Sequence, residues 1–525
     1  MSDPVIIVGS GPAGVSAAWP LLQAGIPVLM IDAALPGALP TPPTGDIAGF
    51  RGRPDRWVAQ FGANFSSFGG AGDRSPKLST PLANAVLAGF AEATGLDTAN
   101  FLALGSLSAG GLSNIWGAAA VVYDDEELRG YPFSRADLLP SYAAVMSRIG
   151  VSGPDNERSL AGETGLAIPE GPKLTPPLRR VWDAAQRSTG VAGFELTRAT
   201  NAVLAEARDG RGPCVNCGLC LWGCHHGSIY NSASELPALR AFPHFTYRPG
   251  MRARSLPPFE GTPSIDVEFE NVRMTLTGQR IVLACGTIAT TALVLRALGA
   301  SAGSPRLLTN PVAALAFIVP SLFGVAPPAL SFALGQLAYR ATLPDGDRAA
   351  GLLYGADALP LATFADRLPL SRPAALRLSR ALTPALVVAT CYLPSRFSSN
   401  TISLTGGEDT PLIVEGNQSA ESDQALRDAG RHLSRTMRRL GAYSLPGSFA
   451  VAPPGADAHY AGTLPMGGKG HTATDLSGAL KSLPGVHIVD GAVLPYLPAR
   501  HCTLTIMANA DRIARRLLLD GQVMR

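Results

Sequence analysis

The sequence predicts an α/β protein that begins with a Rossmann-type nucleotide-binding domain. Three observations carry this expectation. A β-rich run, VIIV at 5–8, enters Gly9-x-Gly11-x-x-Gly14, and a small-residue helix, VSAAWPLLQAG, follows it. A second strand, PVLMID, then ends on Asp32. The glycines serve different physical ends. Gly9 permits a tight turn, Gly11 lets the backbone approach a pyrophosphate, and Gly14 lets helix and strand pack closely. The first N–H groups of the helix face the phosphates. Asp32 is placed to accept ribose hydroxyls and to repel a 2′-phosphate. The fingerprint alone does not choose between FAD and NAD. Pro20, inside the helix, removes a hydrogen bond and is expected to bend it.

Composition narrows the class further. A chain of 525 residues suggests two to four domains or one large composite fold. With 46 % hydrophobic and 16 % charged residues it is not a disordered chain, and a net charge of +3 leaves no nucleic-acid footprint. No basic segment precedes VIIV, so the reading is a cytoplasmic chain without a secretory leader, in which disulfides are not expected.

Near the other end lie HYAGTLPMG (459–467), VHIVDGAVLP (486–495) and ARHCTLTIMANADRIARRLL (499–518). The strand VHIV runs into a turn at Asp490-Gly491, and an amphipathic helix starts near Leu504. His459, Asp490 and His501 therefore fall at loop or element-end positions, where functional groups gather.

These segments, with GSGPAG (9–14), GGLSNIWGA (110–118), YPFSRADLLPSY (131–142) and IVLACGTIATTALVL (281–295), resemble the glucose–methanol–choline (GMC) oxidoreductases in order and along nearly the whole chain. The resemblance implies bound FAD, contacted by Gly9, Gly11, Pro12, Ala13, Gly14, Asp32, Gly111, Ser113, Asn114, Trp116, Asp490 and Gly491. It implies an active site of two histidines, His459 and His501, the second followed by Cys502 where many members have proline. The implied reaction oxidises the CH–OH group of an alcohol or sugar. A neutral imidazole near its working pKa takes the hydroxyl proton while hydride leaves to flavin N5. Oxygen, a quinone or a redox protein would take the electrons. The same scaffold also carries non-redox flavoproteins, lyases and a photodecarboxylase. His225, His226, His244, His432, His471 and His487 match no such position and read as structural or exposed.

The resemblance further implies an FAD-binding domain interleaved with an α+β substrate domain containing an antiparallel sheet. Residues 1–120, 195–310 and 455–525 would build the first, 121–194 and 311–454 the second.

Cys214, Cys217, Cys220 and Cys224 have ferredoxin-like C-x2-C-x2-C-x3-C spacing, with His225 where a proline would follow. An iron–sulfur cluster, a zinc and a reduced structural loop all remain open for them. Cys285, Cys391 and Cys502 read as small buried residues.

Leu307 to Tyr339 contains no charged residue, but four prolines interrupt it, so a buried core is favoured over a membrane span. Arg367, Arg372, Arg377 and Arg380 alternate with leucines between 366 and 386. That pattern fits a solvated face, or a helix lying on an anionic membrane surface with access to a lipophilic or lipid-linked substrate.

Overall fold

The computed structural model describes residues 3–34, 37, 39–62, 75–154, 162–359, 368–404 and 410–524. The N-terminal strand Val5–Val8 is fully buried and lies at the centre of a five-stranded sheet. Its neighbours are Val28–Asp32 on one side and Arg280–Leu283 on the other, both parallel to it. Phe245–Pro249 and Val486–Ile488 complete the edges, also in parallel. In chain order the strands stand 3-2-1-4-5, the doubly wound order, so the nucleotide crevice opens where the order reverses beside the first strand. The helix Pro12–Gln23 leaves the first strand at that point and packs against the C-terminal helix Thr503–Leu519. It runs on through Pro20, where the sequence predicts a bend.

The second large sheet is antiparallel and seven-stranded, built around Val312–Ile318, Leu386–Tyr392, Arg348–Gly355 and Leu337–Thr342. Phe194–Arg198 forms one of its edges, so residues 195–198 stand with the antiparallel sheet and not with the parallel one. The helix Ala420–Arg439 covers one face. Its buried Leu426, Ala429, Leu433 and Met437 recur at helical spacing and meet Ala313, Leu315 and Phe317 of the sheet. Each fully buried leucine here contributes about 2 kcal/mol.

The strand within the uncharged run 307–339 is thereby explained, whereas Phe323, Val325 and Leu330 of the same run lie exposed. Strand Val312–Ile318 turns alternate residues into this helix-packed core and the others toward a cavity, so neither face admits charge. Among the described residues no helix is long and apolar enough to cross a membrane. Arg372, Arg377 and Arg380 lie exposed along the helix Arg372–Leu382, and Arg367 lies outside the described residues.

Candidate active site

A cavity of about 1190 Å³ runs from the glycine loop to the two C-terminal histidines. At the loop, Gly9 has φ +105°, and a Cβ there would stand 2.5 Å from the Ala284 carbonyl oxygen. A Cβ on Gly14 would lie 2.0 Å from the Gly9 carbonyl oxygen. These two glycines are required by the packing of strand on helix. Gly11 differs: its φ is −63° and a Cβ would meet nothing within 4 Å, because the position faces the cavity. Gly11 thus leaves open a space that protein does not fill, as a pyrophosphate cradle requires. Pro12 and Ala13 line the same wall.

Asp32 is buried and accepts the Ser10 N–H at 2.7 Å and the Ala34 N–H at 2.8 Å, one on each oxygen. Burial raises its pKa from the usual carboxylate range, against those two hydrogen bonds. It lines the cavity, as a ribose acceptor must.

The segment 110–117 is fastened to the glycine loop by hydroxyls. Gly110 N–H donates to Ser10 Oγ at 3.0 Å, and Ser232 Oγ–H donates to the Ser10 carbonyl at 2.9 Å. Gly111, Ser113 and Trp116 line the cavity, whereas Asn114 does not. The Asn114 amide donates to the Ala109 and Gly111 carbonyls at 2.9 and 2.8 Å, so its polar hydrogens hold the turn instead of reaching into the cavity. The Trp116 indole N–H likewise donates to the Tyr230 carbonyl at 2.7 Å. Asp490 and Gly491 line the cavity, but the Asp490 carboxylate accepts the Gly286 and Ala492 N–H groups at 3.0 Å and caps this corner of the fold. Burial pushes it up to about 6. The FAD set is therefore a backbone-lined cradle with side chains mostly working behind it, and it fits a dinucleotide.

At the far end the rings of His459 and His501 are 5.0 Å apart, nearly perpendicular. Tyr392 stands 5.5 Å from the first and 5.2 Å from the second. His459 Nδ1 lies 3.1 Å from Asn310 Oδ1. The Asn310 amide is oriented, since its Nδ2 donates to the Leu393 and Pro498 carbonyls at 2.8 and 2.9 Å. Its oxygen must therefore accept, so Nδ1 of His459 carries the proton and Nε2 keeps a free lone pair. Burial, then the neighbouring His501, holds His459 well below the ordinary imidazole value. Burial, then Arg500, holds His501 down to about 4. Both rings are neutral at pH 7 and able to take a proton.

Asp457 was not legible in the sequence, and neither was Asn310. The Asp457 carboxylate accepts the Asn310 N–H at 2.7 Å and the His459 N–H at 3.3 Å, and lies 3.8 Å from His459 Nδ1. Burial pushes it up to about 7. Lys77 is another missed residue. Its ammonium lines the cavity, bonds the Trp116 carbonyl, and is pushed down to about 8 by burial. Of the histidines read as structural, His487 is buried against the Ser477 carbonyl at 3.0 Å, and His244 meets the Leu22 carbonyl at 2.9 Å.

Of the three readings open for the cysteine run, its packing suits the structural loop. Cys214, Cys217, Cys220 and Cys224 are free, and among the described residues no group of three or more His, Cys, Asp or Glu is placed to hold a metal ion. Burial raises the thiols of Cys214, Cys217 and Cys220, the first to about 11, so they are neutral thiols in this packing. The segment acts as a weld. Leu219, Leu221 and Trp222 are buried with Ile47, Phe50 and Ala333. Ile47 N–H donates to the Cys217 carbonyl at 2.8 Å, and Ser331 N–H to the Asn216 carbonyl at 2.7 Å.

The GMC oxidoreductase family model matches residues 397–510. The chain is 26 % identical to paromamine 6'-oxidase from Streptomyces fradiae, over 98 % of this chain and 91 % of that one. It is 32 % identical over 176 residues to 6'''-hydroxyparomomycin C oxidase from Streptomyces lividus, 32 % of this chain and 31 % of the other. Among solved structures, pyridoxine 4-oxidase from Mesorbium loti superimposes with a TM-score of 0.62 at 17 % identity, covering 99 % of both chains. Formate oxidase from Aspergillus oryzae gives the same score at 12 % identity, covering 99 % of this chain and 98 % of that one. The doubly wound sheet, the antiparallel second sheet and the C-terminal region matched by the family model together make the chain similar in fold and in its last third to the GMC oxidoreductases.

Proposed function

We propose that this chain oxidises an alcohol or sugar to the carbonyl compound, with His459 taking the hydroxyl proton and His501 orienting the hydroxyl. The observation that carries this reading is the Asn310–His459 hydrogen bond, which leaves Nε2 of His459 as a free acceptor beside a second neutral imidazole. Bound FAD supplies the hydride acceptor. The glycine loop, Asp32, Gly111, Ser113 and Trp116 would hold it, with Asp490 bracing its corner. The hydroxyl proton goes to His459 and the hydride would be taken up by the bound cofactor, so alcohol and carbonyl product balance. The two Streptomyces relatives are oxidases by name, which favours oxygen as the final acceptor. The test is anaerobic: mixing the FAD-loaded enzyme with a panel of alcohols and sugars bleaches the flavin absorbance with at least one of them. Failure of every member would remove the assignment.

Asp457 predicts the pH profile. Its carboxyl is raised to about 7, so it is neutral below that pH and negative above it. The negative charge, 3.8 Å from Nδ1, favours the imidazolium form of His459 and makes it a stronger base. Flavin reduction by substrate should therefore rise by about tenfold as pH climbs through 7. Asp457→Asn should stay at the low level throughout, and an unchanged profile would exclude the coupling.

A lipid surface is the partner that one exposed apolar patch favours. Phe323, Val325 and Leu330 are about half exposed, as are Leu370 and Leu376 beside Arg372, Arg377 and Arg380. Gly324 N–H donates to the Ala381 carbonyl at 3.0 Å, joining the two segments, and Leu368 and Leu382 reach the cavity itself. Apolar side chains ringed by arginine suit an anionic bilayer. The expected result is co-sedimentation with phosphatidylglycerol vesicles and not with phosphatidylcholine vesicles, lost when the three arginines become glutamate.

A further inference from the structure

The wall that the antiparallel sheet gives to the cavity is built from Val312, Ala314, Ala316, Val388, Tyr354 and Tyr392. Strand alternation explains this set, because Ala313, Leu315 and Phe317 point into the helix-packed core and their neighbours face the other way. Four residues of this wall carry hydroxyls; Tyr354 and Tyr392 hydrogen-bond Thr390, and the other two are engaged with the backbone. Thr390 Oγ1 accepts the Leu352 N–H at 3.2 Å, and Ser448 Oγ–H donates to the Leu445 carbonyl at 2.7 Å.

Charge lies elsewhere in the cavity. Among the described lining residues the carboxylates are Asp32, Asp457 and Asp490, and each is held by backbone N–H donors. Lys77, Arg252 and Arg296 bond the carbonyls of Trp116, Ala93 and Thr94. An ammonium group seated on Ala314 and Ala316 would lose its water, and the carboxylate nearest this wall, Asp457 beside Tyr392, is already held by backbone N–H donors and raised to about 7 by burial, whereas a hydrocarbon body would gain from burial. The alanines at 314 and 316 keep that wall low, which leaves breadth for a bulky group. An exposed apolar patch around Phe323 and Leu376, joined by the Gly324–Ala381 hydrogen bond beside cavity-lining Leu382, fits the same chemistry.

We propose that the alcohol oxidised here is uncharged and carries an apolar body, aryl, alkenyl or long alkyl, seated on Ala314 and Ala316. This deepens the oxidoreductase reading above and rests on it. It separates the chain from its aminosugar-named relative, with which it shares 26 % of residues.

The test uses the FAD-loaded enzyme without oxygen and four probes: cinnamyl alcohol, 1-octanol, glucose and paromamine. Cinnamyl alcohol or octanol should reduce the flavin with kcat/KM roughly 100-fold above paromamine. Ala316→Asp should lower that value roughly tenfold for cinnamyl alcohol while raising it for paromamine. Should that variant fail to load flavin, Ala314→Asp puts the same charge on the same wall. Faster reduction by paromamine than by either apolar alcohol overturns the proposal and leaves the oxidoreductase reading standing. Saturable perturbation of the flavin spectrum by cinnamyl alcohol, without bleaching by any probe, upholds the apolar seat and removes the redox reading. Neither bleaching nor perturbation by any probe overturns both.

Discussion

Replacing His459 with alanine is expected to leave a yellow, FAD-loaded protein whose reduction by substrate is slowed by about 10²–10⁴-fold. Two features of the site set the direction. Nδ1 is committed to Asn310, so the ring offers only Nε2 to a substrate, and the alanine removes that one acceptor. The remaining imidazole, His501, is itself held down to about 4 by burial and by Arg500, and it lacks the Asn310 contact that fixes which nitrogen of His459 accepts. The fold should survive, because the His459 side chain faces a cavity and its loss removes one side-chain hydrogen bond. The measurement is stopped-flow flavin bleaching alongside reduction by dithionite, which reports an intact cofactor independently of the base. Substrate bleaching at the wild-type rate would reject His459 as the base.

Filling the cradle at Gly11 should have an equally large effect on a different quantity. Gly11→Val is expected to yield folded, colourless protein with flavin content near zero. The backbone at Gly11 has φ −63°, which any residue adopts, and an added Cβ meets no protein atom within 4 Å. The apoprotein therefore has nothing to lose, while the pyrophosphate loses its close approach to the backbone. Gly14→Ala serves as the contrast. Its Cβ would sit 2.0 Å from the Gly9 carbonyl oxygen, so the strand and helix must part and the fold itself should weaken by about 1–3 kcal/mol or more. Circular dichroism and thermal melting separate the two cases, and absorbance at the flavin band reports the cofactor. A yellow Gly11→Val protein would show that the cofactor does not pass over this residue.

The nucleotide loop was legible because its constraints are local. Gly9, Gly14 and Asp32 sit within 24 residues of one another, and strand, turn and helix each leave a pattern in that span. The histidine pair was legible for a related reason: short motifs at 459–467 and 499–518 mark the ends of elements. The support behind those motifs was not. Asn310 reaches His459 across 149 positions, and a lone asparagine before a proline carries no pattern that announces such a contact. Asp457 is close in sequence, yet its role comes from burial, which no residue spacing reports.

The cysteine run shows the opposite limit, since its residues left a cluster, a zinc and a structural loop all open. Its spacing matches a cluster signature, but spacing specifies only how far apart thiols can be, not which way the chain turns them. The backbone bonds from Asn216 and Cys217 to Ser331 and Ile47, with the burial of Leu219 and Trp222 between them, make the segment a hydrophobic joint. Asn114 follows the same logic, since its amide serves the turn that carries it.

By itself the sequence determined the α/β class and pointed to the glycine loop, the two histidines and a resemblance to the GMC oxidoreductases, all written in short contiguous motifs. Only the tertiary structure decided which nitrogen of His459 is free, which side chains brace the cofactor site from behind, and that an uncharged run forms an apolar cavity wall. Those properties come from contacts between residues far apart in the chain, where burial and hydrogen-bond partners are set by packing and not by neighbours in sequence.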